Sequence, residues 1–135
     1  MKVSTKFAVF ALSVLVTVPA QARNFEYYLE TNPLPGGQEF EVLNRPGTGP
    51  TLFWCGAGTH AFRQLGLGHN DRIYLVQGRA PSVTQPGWSA VTFTVDPNHP
   101  VVGTYQDQSW SVSIKDPGFS LSVDSARQFC FEKMS

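Results

Sequence analysis

The chain has 135 residues, with ten Lys plus Arg balanced by ten Asp plus Glu. A formal charge of zero excludes a basic surface built for nucleic acid or an anionic membrane. Charged residues are only 15 %, while there are 12 glycines, 10 prolines and 13 % aromatics, which excludes a helical bundle or a disordered chain and suits a turn-rich domain containing sheet.

The N-terminus reads as an export signal. Lys2 and Lys6 supply a positive start, and Phe7 to Val18 is a run of 12 uncharged residues. Pro19 then breaks the helix, and Ala20-Gln21-Ala22 places small residues where a signal peptidase reads. The run is too short for a membrane anchor, which needs roughly 20 residues. No cysteine follows the cleavage site, so no lipid anchor is expected on the new N-terminus. The expected organisation is a signal peptide over 1–22 and a single small α+β domain over 23–135, periplasmic or secreted, with no membrane span after signal cleavage. Losing Lys2 and Lys6 leaves eight basic against ten acidic side chains in the 113 mature residues, a net charge near −2.

Along the mature chain, Phe25, Tyr27 and Leu29 alternate with Glu26, Tyr28 and Glu30, a period of two that predicts a half-buried strand. Asn32 to Gly37 ends it. Phe40 and Val42 alternate with Glu39 and Glu41 in a second strand, and Arg45 to Pro50, with two prolines and two glycines, is a loop. The spacing of Trp54, Ala57, Ala61 and Leu65, with Cys55, Gly58 and Phe62 beside them, predicts a helix over 51–65. Thr51 is its expected cap and Gly66 its left-handed stop. Gly56 and Gly58 weaken that helix by about 1 kcal/mol each relative to Ala, and their small size allows close packing on a sheet. The apolar run Ile73 to Val76 suits a central strand, Arg79 to Trp88 a loop, and Val91, Phe93 and Val95 a further strand. Trp110, Val112 and Ile114, then Phe119, Leu121 and Val123, alternate with serines around Asp116-Pro117-Gly118, predicting a β-hairpin. Asp124 is placed to cap a short final segment. The economical arrangement is one helix packed on a mainly antiparallel sheet of about five or six strands.

Cys55 and Cys130 are the only cysteines, and both enter an oxidising compartment, so a disulfide between them is expected. It closes a loop of about 75 residues, worth up to roughly 4 kcal/mol on chain entropy.

Several residues invite chemistry. Trp54-Cys55-Gly56 resembles part of the thioredoxin signature, in which a cysteine opening a helix has a lowered pKa. The second cysteine of that signature would fall at position 58, which is Gly58, so the local resolving thiol is missing. A hydrolase would need a histidine base beside Cys55. His60 lies about 140° around the helix, which leaves His69 and His99 in turns, with His69 the preferred partner. The histidines show no metal-ligand spacing, and no glycine-rich phosphate loop precedes a lysine, so no metal and no cofactor is expected. Asp71-Arg72 and Arg79, flanking the Ile73 strand, form a small polar cluster with His69. With Trp88 they make a candidate binding surface, Trp being favoured at binding hot spots.

The runs Phe53-Trp-Cys-Gly-Ala-Gly58, Asp71-Arg-Ile-Tyr-Leu-Val76 with Gly78-Arg-Ala-Pro-Ser82, and Val91-Thr-Phe-Thr-Val-Asp-Pro97 resemble those of uncharacterised small exported proteins of Gram-negative bacteria. The resemblance covers about half of the mature chain. It implies a periplasmic placement and brings no activity, cofactor or partner.

The reading that follows is a disulfide-stapled, non-enzymatic binding or accessory module of the bacterial envelope, whose partner would be another envelope protein and not a nucleic acid. The alternative is a cysteine-dependent enzyme, a hydrolase or thiol oxidoreductase, using Cys55 with His69. The state of Cys55 discriminates between them.

Overall fold

The structure is a computed structural model and describes residues 29–106 and 111–131. The expected signal peptide over 1–22, the first strand's residues Phe25 to Tyr28, and Trp110 of the expected hairpin lie outside the described residues.

The chain folds as α+β. Strands β1 (Thr31–Pro33) and β2 (Glu39–Leu43) pair antiparallel, followed by α1 (Pro50–Thr59), a π-helical turn (His60–Gln64), β3 (Arg72–Pro81), β4 (Ser89–Thr94), β5 (Ser120–Ser122) and α2 (Val123–Gln128). The sheet order is β1-β2-β4-β3-β5, antiparallel throughout. Since β4 lies between them, β2 and β3 run parallel, and α1 is the crossover that joins them.

The alternation in β2 and β4 sends Phe40, Val42, Val91 and Phe93 into the core with Ile73 and Leu75 of β3. Against that face α1 is buried from Phe53 through Gly58, because the sheet covers one side and α2 another. The two glycines set both spacings. A Cβ on Gly56 would meet Val42 Cγ1 at 2.9 Å, and one on Gly58 would meet Ala126 Cβ and the Arg127 backbone nitrogen at 2.9 Å. The Cys55–Cys130 disulfide joins α1 to the chain just beyond α2.

Helix α1 begins one residue earlier than predicted. Gly49 is the N-cap and makes no side-chain cap bond, and Pro50 takes the first turn, where its missing N–H costs nothing. Thr51 is therefore inside the helix and caps nothing. The helix widens into the π-helical turn, in which Leu65 N–H donates to His60 O, and Gly66 (φ 70°) ends it in the left-handed conformation as predicted.

Three other expectations are corrected. The first described strand is Thr31–Pro33, which runs into the Asn32 to Gly37 segment expected to end a strand; Pro33 is tolerated because β1 is an edge strand. Arg79 to Pro81 belong to β3 rather than to a loop, while Ile73 to Val76 do lie in an interior strand, with β4 on one side of β3 and β5 on the other. Two register shifts against β4, between Leu75 and Gln77 and between Gln77 and Ala80, let the longer β3 stay paired.

The third correction is the hairpin. Of the described residues expected in it, only Ser120–Ser122 form a strand, and their partner is β3. Ser113 explains the loss of the first arm. Its hydroxyl accepts the N–H groups of Lys115 and Asp116 (both 3.0 Å) and donates to Asp116 Oδ2 (2.8 Å), folding the backbone locally. Trp54 Nε1–H donates to the Ser113 carbonyl at 2.8 Å. The expected turn at Asp116-Pro117-Gly118 does form, closed by Phe119 N–H to Asp116 O. Ile114, Phe119 and Val123 are buried as expected, but Val112 and Leu121 only partly. Val123 opens α2, whose cap is Ser122, accepting from Ser125 N–H at 3.1 Å; Asp124 sits in the first turn.

Candidate functional site

The face of the sheet away from α1 carries Glu41, which is 1 % exposed. Alternation puts its carboxylate opposite Phe40 and Val42, where the turn after β3 folds over it. Glu41 accepts from Ser82 Oγ (2.7 Å), Val83 N–H (2.6 Å), Thr84 N–H (3.2 Å) and Thr84 Oγ1 (2.7 Å). Burial works to raise its pKa, but the hydrogen bonds from Val83, Ser82 and Thr84 outweigh it and hold the pKa below the ordinary 4.5. Ser82 Oγ in turn accepts Gln85 N–H at 2.9 Å, and Asn32 Nδ2 donates to Thr84 Oγ1 at 2.8 Å. The turn is pinned at both ends, since Ser82 N–H also donates to Trp88 O (2.8 Å).

This pinned turn presents two apolar side chains, Val83 at 75 % and Trp88 at 40 % exposure. Trp88 forms one wall of an open cleft of about 430 Å³ whose other residues are Asn44, Arg45, Pro46, Gly87 and Ser89. The opposite wall is fixed as well. Asn44 N–H donates to Ser89 O (2.9 Å), Thr48 N–H donates to Arg45 O (3.1 Å), and Arg79 Nη2 donates to Thr48 O (2.6 Å) while its guanidinium lies 5.1 Å from the centre of the Phe53 ring.

The structure divides the predicted surface. Trp88 lines the cleft, and Arg79 supports the loop that forms its far wall. His69, Asp71 and Arg72 lie at the other end of β3, roughly 20 Å away at the rise of a strand. There Arg72 Nη2 donates to Ser120 Oγ (2.8 Å), Asp71 Oδ2 accepts Gly68 N–H (2.7 Å), and His69 Nδ1 is 3.6 Å from Asp124 Oδ1. Asp71 and Arg72 border a separate hollow with Tyr74, Asn70 and Gln38. Sequence reasoning missed Glu41, Asn44 and Arg45. Ser82-x-Thr84 ahead of Pro86-Gly87 hints at a side-chain-capped turn, but nothing local says that a glutamate 41 residues earlier anchors it.

The groups proposed for cysteine chemistry are otherwise engaged. The sulfur of Cys55 is bonded to Cys130 and buried, so in this state it carries no thiolate. His69 neighbours Asp124 at the start of α2 while Cys130 follows its end, so α2 separates the two. His99 accepts Val101 N–H at Nδ1 (3.0 Å), which leaves Nε2 protonated and donating to Glu39 Oε2 (2.8 Å); the imidazole has no lone pair left for a general base. His60 stacks on Phe40 at 4.1 Å, with Nδ1 2.8 Å from Thr31 Oγ1, and burial pushes its pKa below the ordinary 6.5. Among the described residues no group of three or more His, Cys, Asp or Glu converges to hold a metal ion, and no helix is long and apolar enough to cross a membrane.

No protein-family model matches the chain, and no curated protein or solved structure matches it either.

Proposed function

We propose that this chain is an exported, non-enzymatic binding or accessory module of the bacterial envelope, and that its contact surface is the cleft beside Trp88. The observation that carries the reading is the Glu41 anchor. A buried carboxylate that takes four hydrogen bonds from one turn is a costly device. Its effect is to hold an exposed Trp and Val in a fixed arrangement. Preorganised aromatic anchors are what binding surfaces need, because little freedom is then lost on association. Export is supported by the disulfide and by the signal-like N-terminus.

The test is capture from a periplasmic extract by the immobilised mature protein, comparing wild type with Trp88→Ala. A defined component retained by wild type and lost from the variant, with melting temperature unchanged, is the expected outcome. Identical capture by both proteins would reject the cleft as the contact surface. Alkylation of Cys55 in the native, freshly isolated protein would instead bring back the cysteine-enzyme reading.

A further inference from the structure

We infer that the Trp88 cleft is a sugar site, taking a pyranose that carries a carboxylate. The inference rests on the binding-module reading and adds the class of ligand. The cleft's two walls differ in chemistry. One is the indole of Trp88, with an apolar face and one N–H donor. The other is formed by Asn44, whose amide both donates and accepts, and Arg45, whose guanidinium is a planar donor fork matched to a carboxylate. Among the described residues none of these three side chains has a hydrogen-bond or ion-pair partner, whereas the neighbouring Arg79 is engaged with Thr48 and Phe53.

A ligand suited to both walls needs a flat C–H face, an edge of hydroxyls and one negative charge. A carboxylated pyranose has all three: its axial C–H groups lie on the indole while its hydroxyls and carboxylate reach Asn44 and Arg45. The competing ligands fit less well. An extended peptide adding to the sheet needs unpaired backbone groups, and here Asn44 N–H, Ser82 N–H and Trp88 N–H are bonded to Ser89, Trp88 and Gln85 carbonyls. A purely apolar ligand would strip water from Asn44 and Arg45 without replacing it. A nucleic acid would need a row of cations, and this cleft has Arg45 alone among its lining residues.

The experiment is titration of the mature protein with glucuronic acid, N-acetylmuramic acid, glucose and acetate, followed by the indole N–H resonances of the three tryptophans. The Trp88 signal, assigned by its loss in Trp88→Phe, should shift saturably with either acidic sugar, and glucose should bind about tenfold more weakly because it lacks the charge-assisted bond to Arg45. Arg45→Gln should erase that preference and leave the Trp88 shift with glucose. Trp88→Ala should abolish sugar binding at an unchanged melting temperature. Acetate binding as well as the acidic sugars would overturn the sugar assignment, and so would failure of both acidic sugars to saturate. If capture from the periplasmic extract still depends on Trp88 after such a failure, the binding-module reading stands and only the ligand class is wrong.

Discussion

Glu41 is the residue on which the most depends. Its carboxylate satisfies two backbone N–H groups and two hydroxyls in a place that water does not reach. Glu41→Gln keeps the shape but turns one acceptor into a donor facing other donors, and should cost about 2–4 kcal/mol by leaving buried groups unsatisfied. A thermal melt reads this directly, and a loss under about 0.5 kcal/mol would contradict the anchoring role. The pH dependence has a definite sign. The folded state holds Glu41 below 4.5, so its contribution is complete above pH 4.5 and is lost as pH falls through the lower folded-state value. His60 acts in the same direction in a higher window. Its folded-state pKa lies below 6.5, so the unfolded chain binds the proton first, and stability present above pH 6.5 is lost as pH falls through the folded-state value. In His60→Asn the decline beginning near pH 6.5 should flatten while the decline below pH 4.5 remains. Stability curves of equal slope for wild type and variant in the upper window would rule out His60 as the source.

At the scale of elements, the fit of α1 against α2 and the path of residues 111–119 can be tested separately. Gly58→Ala gains about 1 kcal/mol of helix propensity. Against that, the new methyl would sit 2.9 Å from the Arg127 backbone nitrogen and the Ala126 Cβ, neither of which is the movable end of a flexible side chain. Overpacking of this kind costs about 1–3 kcal/mol, so the variant should melt lower in spite of the better helix. A raised melting temperature would mean that α2 can move away. For residues 111–119, Ile114→Asp buries an unpaired charge and should destabilise severely, whereas Lys115→Asp at the next, exposed position should change little. The expected hairpin shows how far a pattern reaches. Alternating serines and apolar residues recorded which side chains share a face, and Ile114 and Phe119 are indeed buried. They did not record that the Ser113 hydroxyl would take the backbone N–H groups of its own segment and leave β5 to pair with β3.

For the whole molecule, the disulfide is the long-range constraint that joins α1 to the end of α2. Replacing both cysteines by alanine should lower stability by up to about 4 kcal/mol, since the bond closes a loop of 75 residues in the unfolded chain. The Trp88 cleft is lined by the loop between β2 and α1 and by Gly87 to Ser89 at the start of β4, and by no residue of α1 or α2, so whatever binds there should still bind the variant below its melting temperature. Loss of binding by a folded double variant would instead tie the cleft to the disulfide.

What the sequence by itself determined were properties that neighbouring residues or simple counting decide. Period-two runs mark β2 and β4 as extended and separate core-facing from outward residues, and the continuous apolar run Ile73 to Val76 marks the first half of β3. The spacing of Trp54, Ala57 and Ala61 marks the helix, Gly66 its end, and two cysteines leave one pairing. Only the tertiary structure decided the order of the strands, which partner Ser120–Ser122 take, and that Trp88 shares a cleft with Asn44 and Arg45 while His69, Asp71 and Arg72 lie at the far end of β3. The reason is physical. Periodicity reports how a segment divides its side chains between two faces, and so is local. The choice of partner is a competition among distant backbone groups, settled here by single contacts such as the Glu41 carboxylate beneath the turn at Ser82 and the Ser113 carbonyl held by Trp54.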